Sequence, residues 1–212
     1  MEHLSTSQWK EYQDYTIERL NSTSVDYDPY WHIFIEDILH PELFELVLAQ
    51  WPDFQAGQCQ WAFSKNAPDQ SPNRKIYQPN RPDGYKFWKE YYDNMMDNPN
   101  IISAAYGLEG LETTPDYVTA GVWEDYHGYA VGNHVDHYTI DLAWQTYIYC
   151  SGGEGWGTSM NNSEGKQLKR FPFKQNSGWL MRVDADSWHS CDPVDCDVRR
   201  SIMARFMTKQ RG

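Results

Sequence analysis

Residues 117–150 read YVTAGVWEDYHGYAVGNHVDHYTIDLAWQTYIYC. Two runs rich in β-branched and aromatic residues lie here on either side of a glycine-containing segment. Such runs, separated by turn residues, are typical of β-strands. The same pattern continues toward the C-terminus, so the second half of the chain is predicted to consist of strands. We expect strands at 117–126, 139–150, 168–173, 178–184 and 198–208.

The first half has a different pattern, because its apolar residues recur at helical spacing and proline or a capping residue stands near several predicted starts. The predicted elements are an amphipathic helix over 7–20, a strand over 30–36, a helix that begins at His40-Pro41-Glu42, a helix capped by Asp83, and a helix over 101–106 that Gly107 ends.

Helices that come first and strands that come later predict an α+β fold rather than an alternating α/β fold. Many short strands separated by glycine-rich turns favour a jelly-roll or cupin-like barrel. We expect one domain over 1–212, in which residues 1–115 form a helical support and residues 116–208 form the barrel.

Composition excludes several classes of protein. The net charge is −12, and an acidic surface opposes tight binding to phosphate backbones. The chain contains no apolar run of 18 residues and begins without a basic, then apolar, leader, so we expect a cytoplasmic protein with no membrane segment. The four cysteines lack paired CxxC motifs, and we expect free thiols rather than a zinc site or a disulfide at Cys191 and Cys196.

His134, Asp136 and His189 form the candidate metal site. Side chains two residues apart on an extended chain project to one side, so His134 and Asp136 can reach the same ion. His189 follows the predicted strand over 178–184 and would supply the third ligand. Two imidazoles and one carboxylate leave open positions on an Fe(II) ion. A catalytic zinc ion also takes three protein ligands, so a zinc hydrolase remains an alternative.

Arg199 and Ser201 form a candidate anion site on the last predicted strand. Alternation places Arg199, Ser201, Met203 and Arg205 on one face of that strand. A guanidinium is a planar two-pronged donor that matches a carboxylate, and the serine hydroxyl adds a third donor. The alternative is an arginine paired with an exposed aspartate of the protein itself.

In this order and setting, His134-Val135-Asp136, His189 and Arg199-x-Ser201 resemble the 2-oxoglutarate/Fe(II)-dependent oxygenases, and in particular the prolyl-hydroxylase-like members. The likeness spans about 117–208. The segment QTYIYC at 145–150 is similar to the strand that follows HxD in those members, which usually continue into an apolar-Asn pair. This chain has Ser151-Gly152-Gly153 instead.

The resemblance implies a double-stranded β-helix, Fe(II) held by His134, Asp136 and His189, and 2-oxoglutarate held by Arg199 and Ser201. It adds Tyr126 or Tyr149 as a further co-substrate ligand. Such an enzyme uses O2 to hydroxylate an unactivated C–H bond and releases succinate and CO2. Asp136 favours hydroxylation over halogenation, and a related desaturation stays open. We expect a small-molecule or peptidyl substrate. Residues expected to line its pocket are Trp123, Tyr129 and Trp156.

Two further interpretations stay open. One is a cupin-like metal-binding protein without oxygenase activity. The other is an AlkB-type nucleic-acid demethylase, because Arg199-x-Ser201-x-Met203-x-Arg205 resembles the double-arginine strand of that group. The acidic charge opposes the second interpretation. The sequence predicts no particular oligomeric state.

Overall fold

The computed structural model of the protein describes residues 4–54, 60–61, 73–110, 114–153, 155 and 157–209. Within these ranges the chain forms α-helices, a π-helical turn, and strands arranged in two antiparallel sheets. This is the predicted α+β class. The helices are α1 (Thr6–Asn21), α2 (Pro41–Ala49), α3 (Lys86–Tyr91), which continues into the π-helical turn Tyr92–Met96, and α4 (Pro99–Glu109).

The first two helices begin where the sequence predicts them. At α1 the Ser5 side chain accepts a hydrogen bond from the Gln8 backbone N–H, and the Gln8 side chain accepts one from the Ser5 N–H. This reciprocal capping box satisfies two backbone donors that have no partner within the helix. Pro41 occupies the first position of α2, where its missing N–H costs no helical hydrogen bond.

Two predicted helix boundaries were wrong. Tyr85 precedes α3 in the capping position, because the Asp83 carboxylate is instead paired with Arg81, with Nη2 and Oδ2 3.1 Å apart. Helix α4 continues through Gly107 and ends at Gly110. Gly110 has a φ of +69°, the left-handed conformation that commonly terminates helices and that glycine adopts without steric cost.

The larger sheet has seven strands in the order β1-β9-β6-β11-β4-β3-β2. Its central strand β11 pairs with β4 over ten consecutive positions, from Val198 opposite Tyr126 to Met207 opposite Tyr117. The predicted strands over 117–126, 139–150, 178–184 and 198–208 all belong to this sheet. Its strands are β1 (His32–Ile35), β2 (Gln60–Trp61), β3 (Arg74–Tyr77), β4 (Tyr117–Tyr126), β6 (Ile140–Cys150), β9 (Ser177–Arg182) and β11 (Val198–Met207).

The smaller sheet has four strands in the order β5-β10-β7-β8. In it His189 lies opposite His134 on one neighbouring strand and opposite Met160 on the other. Only β8 overlaps a predicted strand, the one over 168–173. The other three contain three or four residues each, too few to show a period of two. The strands are β5 (Val131–His134), β7 (Thr158–Asn161), β8 (Gln167–Arg170) and β10 (His189–Cys191).

Alternation along β11 separates two cores. Ile202, Ala204 and Phe206 face the helices, which cover one side of the larger sheet. Met203 faces the other side, where it packs with residues of the smaller sheet such as Met160. The candidate site lies in this second layer, between the two sheets.

The larger sheet also takes strands from the part of the chain before residue 116. Strands β1, β2 and β3 precede that position and still belong to the larger sheet. Both edge strands of the larger sheet therefore come from the half of the chain whose pattern is mainly helical. No helix in the described ranges has the length and apolar character needed to cross a bilayer.

Three cysteines, Cys150, Cys191 and Cys196, are free thiols, as predicted. Cys59 lies outside the described residues. The spacing of Cys191 and Cys196 does not bring those two sulfur atoms together. Cys196 instead contacts Cys150, with the two Sγ atoms 2.9 Å apart.

Candidate metal centre and its cavity

His134, Asp136 and His189 converge on one point. Each offers a ligand atom, and these atoms all lie within 4.8 Å of one another. His134 Nε2 is 3.7 Å from Asp136 Oδ1, and His189 Nε2 is 3.9 Å from Asp136 Oδ2. The pairing of β5 with β10 produces this convergence, because His134 and His189 are directly opposite each other across the ladder.

Both imidazoles are oriented by backbone carbonyl groups. His134 Nδ1 lies 2.9 Å from the carbonyl oxygen of Gly132, and His189 Nδ1 lies 2.9 Å from that of Ser187. A neutral imidazole that donates its Nδ1–H to a carbonyl presents an unprotonated Nε2, the arrangement found for histidine ligands of metals. Both Nε2 atoms face Asp136.

The charge states of Asp136 and His189 suit a cation at this position. Burial alone would raise the pKa of the Asp136 carboxyl, but His134 and the charges of His189 and Arg205 lower it to about 2. Burial lowers the pKa of His189 and thereby favours its neutral form. Burial opposes protonation of His134 too, but its interaction with Asp136 outweighs that effect and raises its pKa. A carboxylate flanked by two imidazoles is a donor set that fits Fe(II).

The three residues lie at a cavity of ≈ 190 Å³ between the sheets. Its wall combines aromatic rings with polar and cationic groups, as expected of a small-molecule site. The residues that line it are Arg74, Trp123, Tyr129, Val131, His134, Asp136, Gln145, Thr158, Trp179, His189, Ser190, Cys191, Arg199, Met203 and Arg205.

Two of the arginines in the wall share one buried carboxylate. Asp125 is 0% exposed and accepts hydrogen bonds from Arg199 Nη2 at 2.7 Å and Arg74 Nη2 at 3.0 Å. Burial works against the charge of Asp125, but the two guanidinium groups outweigh it and lower its pKa. Two cations around one anion leave a surplus positive charge in this cluster.

Comparison with solved structures gives many matches at low sequence identity. A Pseudomonas putida prolyl-4-hydroxylase is 12% identical with a TM-score of 0.63, over 92% of this chain and 97% of that one. A Trichoplax adhaerens prolyl hydroxylase, solved with a hypoxia-inducible-factor peptide fragment, is 16% identical with a TM-score of 0.61, over 96% and 94%. A Burkholderia pseudomallei oxidoreductase of the 2OG-Fe(II) oxygenase family is 10% identical with a TM-score of 0.57, over 99% and 96%.

The chain has the fold of the 2-oxoglutarate/Fe(II)-dependent oxygenases. The resemblance found in the sequence is thereby confirmed at the level of the fold, a double-stranded β-helix, over nearly the whole length of the chain. No protein-family model matches the chain, and no curated protein sequence matches it either.

In this oxygenase fold the predicted co-substrate residues lie at different depths. Arg199 lines the cavity, although its fork is already bonded to Asp125. Ser201 is fully buried behind the wall, where its hydroxyl accepts a hydrogen bond from Gln145 Nε2 at 3.1 Å. Gln145 itself lines the cavity, so Ser201 contacts the wall without forming it.

The two tyrosines predicted to hold the co-substrate do not line the cavity. The Tyr126 hydroxyl donates to Glu124 Oε2 at 2.6 Å. Tyr149 packs against the core beneath the helices. A β-bulge turns Tyr149 away from the cavity. Tyr147 pairs with Ser201 and Tyr149 pairs with Arg200, so the β6 strand has one extra residue between these two pairs. These positions argue against a co-substrate role for Tyr126 and Tyr149.

Of the residues predicted for substrate binding, Trp123 and Tyr129 line the cavity. The Arg74 guanidinium lies between their rings, 3.9 Å from the centroid of Trp123 and 4.1 Å from that of Tyr129. These distances are typical of cation–π contacts. Trp156, the third predicted residue, lies outside the described residues, as does part of the 151–157 loop.

Sequence reasoning missed Arg74, Gln145 and Thr158 as parts of the cavity wall. Gln145 lies in the predicted strand QTYIYC, where its alternation with Tyr147 indicates that both side chains face one side. Arg74 had no comparable signal, because it lies in a four-residue strand of the half of the chain with a helical pattern. Its place depends on the pairing with Asp125, which only the fold creates.

Proposed function

We propose that this protein is an Fe(II)- and 2-oxoglutarate-dependent dioxygenase that hydroxylates an unactivated C–H bond of a small-molecule or peptidyl substrate. The observation that carries the proposal is the convergence of His134, Asp136 and His189 within 4.8 Å at a cavity whose far wall is cationic. When bound, iron and 2-oxoglutarate supply the oxygen activation that side chains lack, with release of succinate and CO2.

His134, Asp136 and His189 would hold the iron through two Nε2 atoms and one carboxylate oxygen. Three protein ligands would leave open positions on the iron for the co-substrate and for the oxygen chemistry that the metal supplies. The carbonyl groups of Gly132 and Ser187 fix the rings, so that little reorientation is needed when the metal binds.

Arg199 would bind the far carboxylate of 2-oxoglutarate from the inner end of the cavity. Because Asp125 neutralises only one of the two arginines around it, the Arg74–Asp125–Arg199 cluster retains the attraction for an anion. Gln145 and Thr158 add polar groups nearby, and a hydrogen bond from the Thr158 hydroxyl to Gln145 Oε1 at 3.2 Å orients the amide. Ser201 would act by holding Gln145 in place.

The aromatic wall would exclude water and accept the apolar part of the substrate. Trp123, Tyr129 and Trp179 line the cavity, and removal of water strengthens the electrostatic interactions inside it. A peptidyl substrate is consistent with the Trichoplax neighbour, whose structure includes a peptide fragment. A small molecule is consistent with the volume of the cavity.

Anaerobic titration tests the proposal. Protein with Fe(II) should develop a weak visible charge-transfer band when 2-oxoglutarate is added, and aerobic turnover should yield succinate. Arg199→Gln should weaken 2-oxoglutarate binding by at least about tenfold, because a charge-assisted bond is lost in a dry site. Lys89→Gln, on the surface of α3, is the matched control.

Absence of both the band and succinate from the wild-type protein would reject the enzyme. An oxygen electrode separates the remaining alternatives. A cupin-like binding protein would take up metal without consuming O2, and a zinc hydrolase would be indifferent to 2-oxoglutarate.

A further inference from the structure

Arg205 is the arginine in the cavity wall that forms no ion pair in the described part of the chain. Its guanidinium carbon lies 5.2 Å from the centroid of the Trp123 ring, and the residue lines the cavity. Arg74 and Arg199 are both bonded to Asp125. Among the described residues, Arg205 forms no ion pair with a carboxylate and its side chain donates no hydrogen bond. A half-buried guanidinium with this environment needs an anion to offset its desolvation.

The formal charges of the cavity residues sum to one positive charge, and this sum does not change when the proposed cofactors are included. Three arginines, Arg74, Arg199 and Arg205, face two carboxylates, Asp125 and Asp136. This leaves one positive charge. A ferrous ion and the dianion of 2-oxoglutarate cancel each other, so that the cavity of the loaded enzyme still carries one uncompensated positive charge. A substrate with one negative group would neutralise it.

Arg205 and Arg199 lie at opposite ends of the cavity-facing part of β11. They are six residues apart, which is about 20 Å of strand at about 3.4 Å per residue. Their surroundings differ accordingly. Arg199 donates hydrogen bonds to Asp125 Oδ2 and Cys191 Sγ. For Arg205, burial lowers the pKa of the guanidinium, and the charge of the metal-site residue Asp136 opposes that shift. The far carboxylate of a diacid anchored at Arg199 would therefore lie near Asp125, whereas Arg205 lies beside the metal position.

The surroundings of Arg205 indicate what kind of anion fits. Trp123 lies beside the Arg205 guanidinium. Tyr129 adds a second aromatic ring to the cavity wall, and that ring contacts Arg74. A guanidinium matches the two oxygens of a carboxylate, while the rings accept an apolar or planar body attached to it. The position beside Asp136 would hold such a body next to the metal.

We propose that Arg205 binds a carboxylate of the primary substrate, so that the substrate class is an organic acid or a peptide that presents a carboxylate near the oxidised carbon. This inference rests on the proposed function, which identifies the diacid bound at Arg199 as 2-oxoglutarate. Arg205 thereby becomes a specificity-determining residue, with Arg199 reserved for the co-substrate.

Calorimetry with a simple probe tests the assignment. The protein is loaded with Mn(II), saturated with 2-oxoglutarate, and titrated with benzoate or with benzamide, which has the same shape without the charge. We expect benzoate to bind wild-type protein at millimolar concentration, and benzamide to bind at least about fivefold more weakly. Arg205→Gln should weaken benzoate binding by at least about fivefold, and Arg205→Lys, which keeps the charge but loses the planar two-pronged donor, should weaken it less than Arg205→Gln does.

Arg200→Gln is the matched control. Arg200 is the neighbour of Arg199 on β11 but faces the other side, where it is paired with Glu124. This variant should bind benzoate like the wild type. Equal binding of benzoate and benzamide, no binding of benzoate, or wild-type affinity in Arg205→Gln would each overturn the assignment.

Affinity for 2-oxoglutarate distinguishes this inference from the proposed function. Arg205→Gln should retain it within about twofold, and a loss as large as that in Arg199→Gln would overturn the inference by assigning Arg205 to the co-substrate. If the wild-type protein binds no 2-oxoglutarate, the proposed function fails. The dependence of benzoate binding on Arg205 is then measured on the Mn(II)-loaded protein alone and decides the anion site separately.

Discussion

The two sheets contribute different halves of the candidate site. The larger sheet supplies the cationic wall from Arg74, Arg199 and Arg205 on long or well-paired strands. The smaller sheet supplies two of the metal ligands from strands of three and four residues, with His134 on β5 and His189 on β10. Asp136 follows β5 directly.

The two sheets differ in how far neighbouring elements cover and bury their strands. The larger sheet is covered on one side by helices and on the other by the smaller sheet, and β6 and β9 are almost wholly buried. The smaller sheet contains partly exposed strands such as β5 and β8. The anion wall is therefore built into a rigid scaffold, whereas the metal ligands depend on short pairings that a bound cation would reinforce.

Removal of a metal ligand should have the largest effect. In Asp136→Ala or His189→Ala, iron affinity and succinate formation should each fall by at least about 100-fold, since even residues that only orient a ligand cost 10–100-fold when lost. Iron content after desalting and a succinate assay measure the two quantities. The overall fold should persist, because the larger sheet is untouched.

His137→Ala is the matched control for the ligand variants. His137 adjoins Asp136 in sequence, but its ring contacts Thr139 and Tyr138 instead of the metal position. Iron binding equal to that of the wild type is expected. A loss as large as in Asp136→Ala would show that the ligand set has been assigned incorrectly.

Removal of the negative charge of Asp125, which lies between two arginines of the cationic wall, should lower the free energy of unfolding. Asp125→Asn would leave Arg74 and Arg199 buried without their shared carboxylate, and breaking a buried ion pair in this way costs about 3–5 kcal/mol of unfolding free energy. Chemical denaturation measures the change. Asp93→Asn, which breaks the exposed Lys89–Asp93 pair, should cost less than about 1 kcal/mol. Similar costs for both variants would contradict the structural role of Asp125.

Metal binding should protect the smaller sheet selectively. A cation shared by His134, Asp136 and His189 ties β5 to β10, so amide exchange in these two strands should slow by about tenfold or more when Zn(II) or Mn(II) is added. Exchange in β6 and β11 should change much less. Mass-spectrometric hydrogen exchange with and without chelator measures both, and uniform protection of the two sheets would remove the distinction between them.

Much of the larger sheet was predictable from the sequence, and little of the smaller one. Strand β4 was predicted with its observed bounds, because ten residues show β-branched and aromatic enrichment clearly. Strands β5, β7 and β10 were not predicted, because three or four residues carry no periodicity. The alternation on β11 was also predicted, and the structure confirms that Arg199, Met203 and Arg205 face the cavity.

Local pattern determined which residue types stand where: the HxD spacing that puts two side chains on one side, the later histidine, and the arginines on one face of the last strand. Tertiary structure decided which of them meet. The pairing of His134 with His189, the burial of Asp125 between two arginines, and the bulge that turns Tyr149 away from the cavity all join residues that are distant along the chain. Such contacts depend on register and packing between strands, which a one-dimensional pattern does not encode.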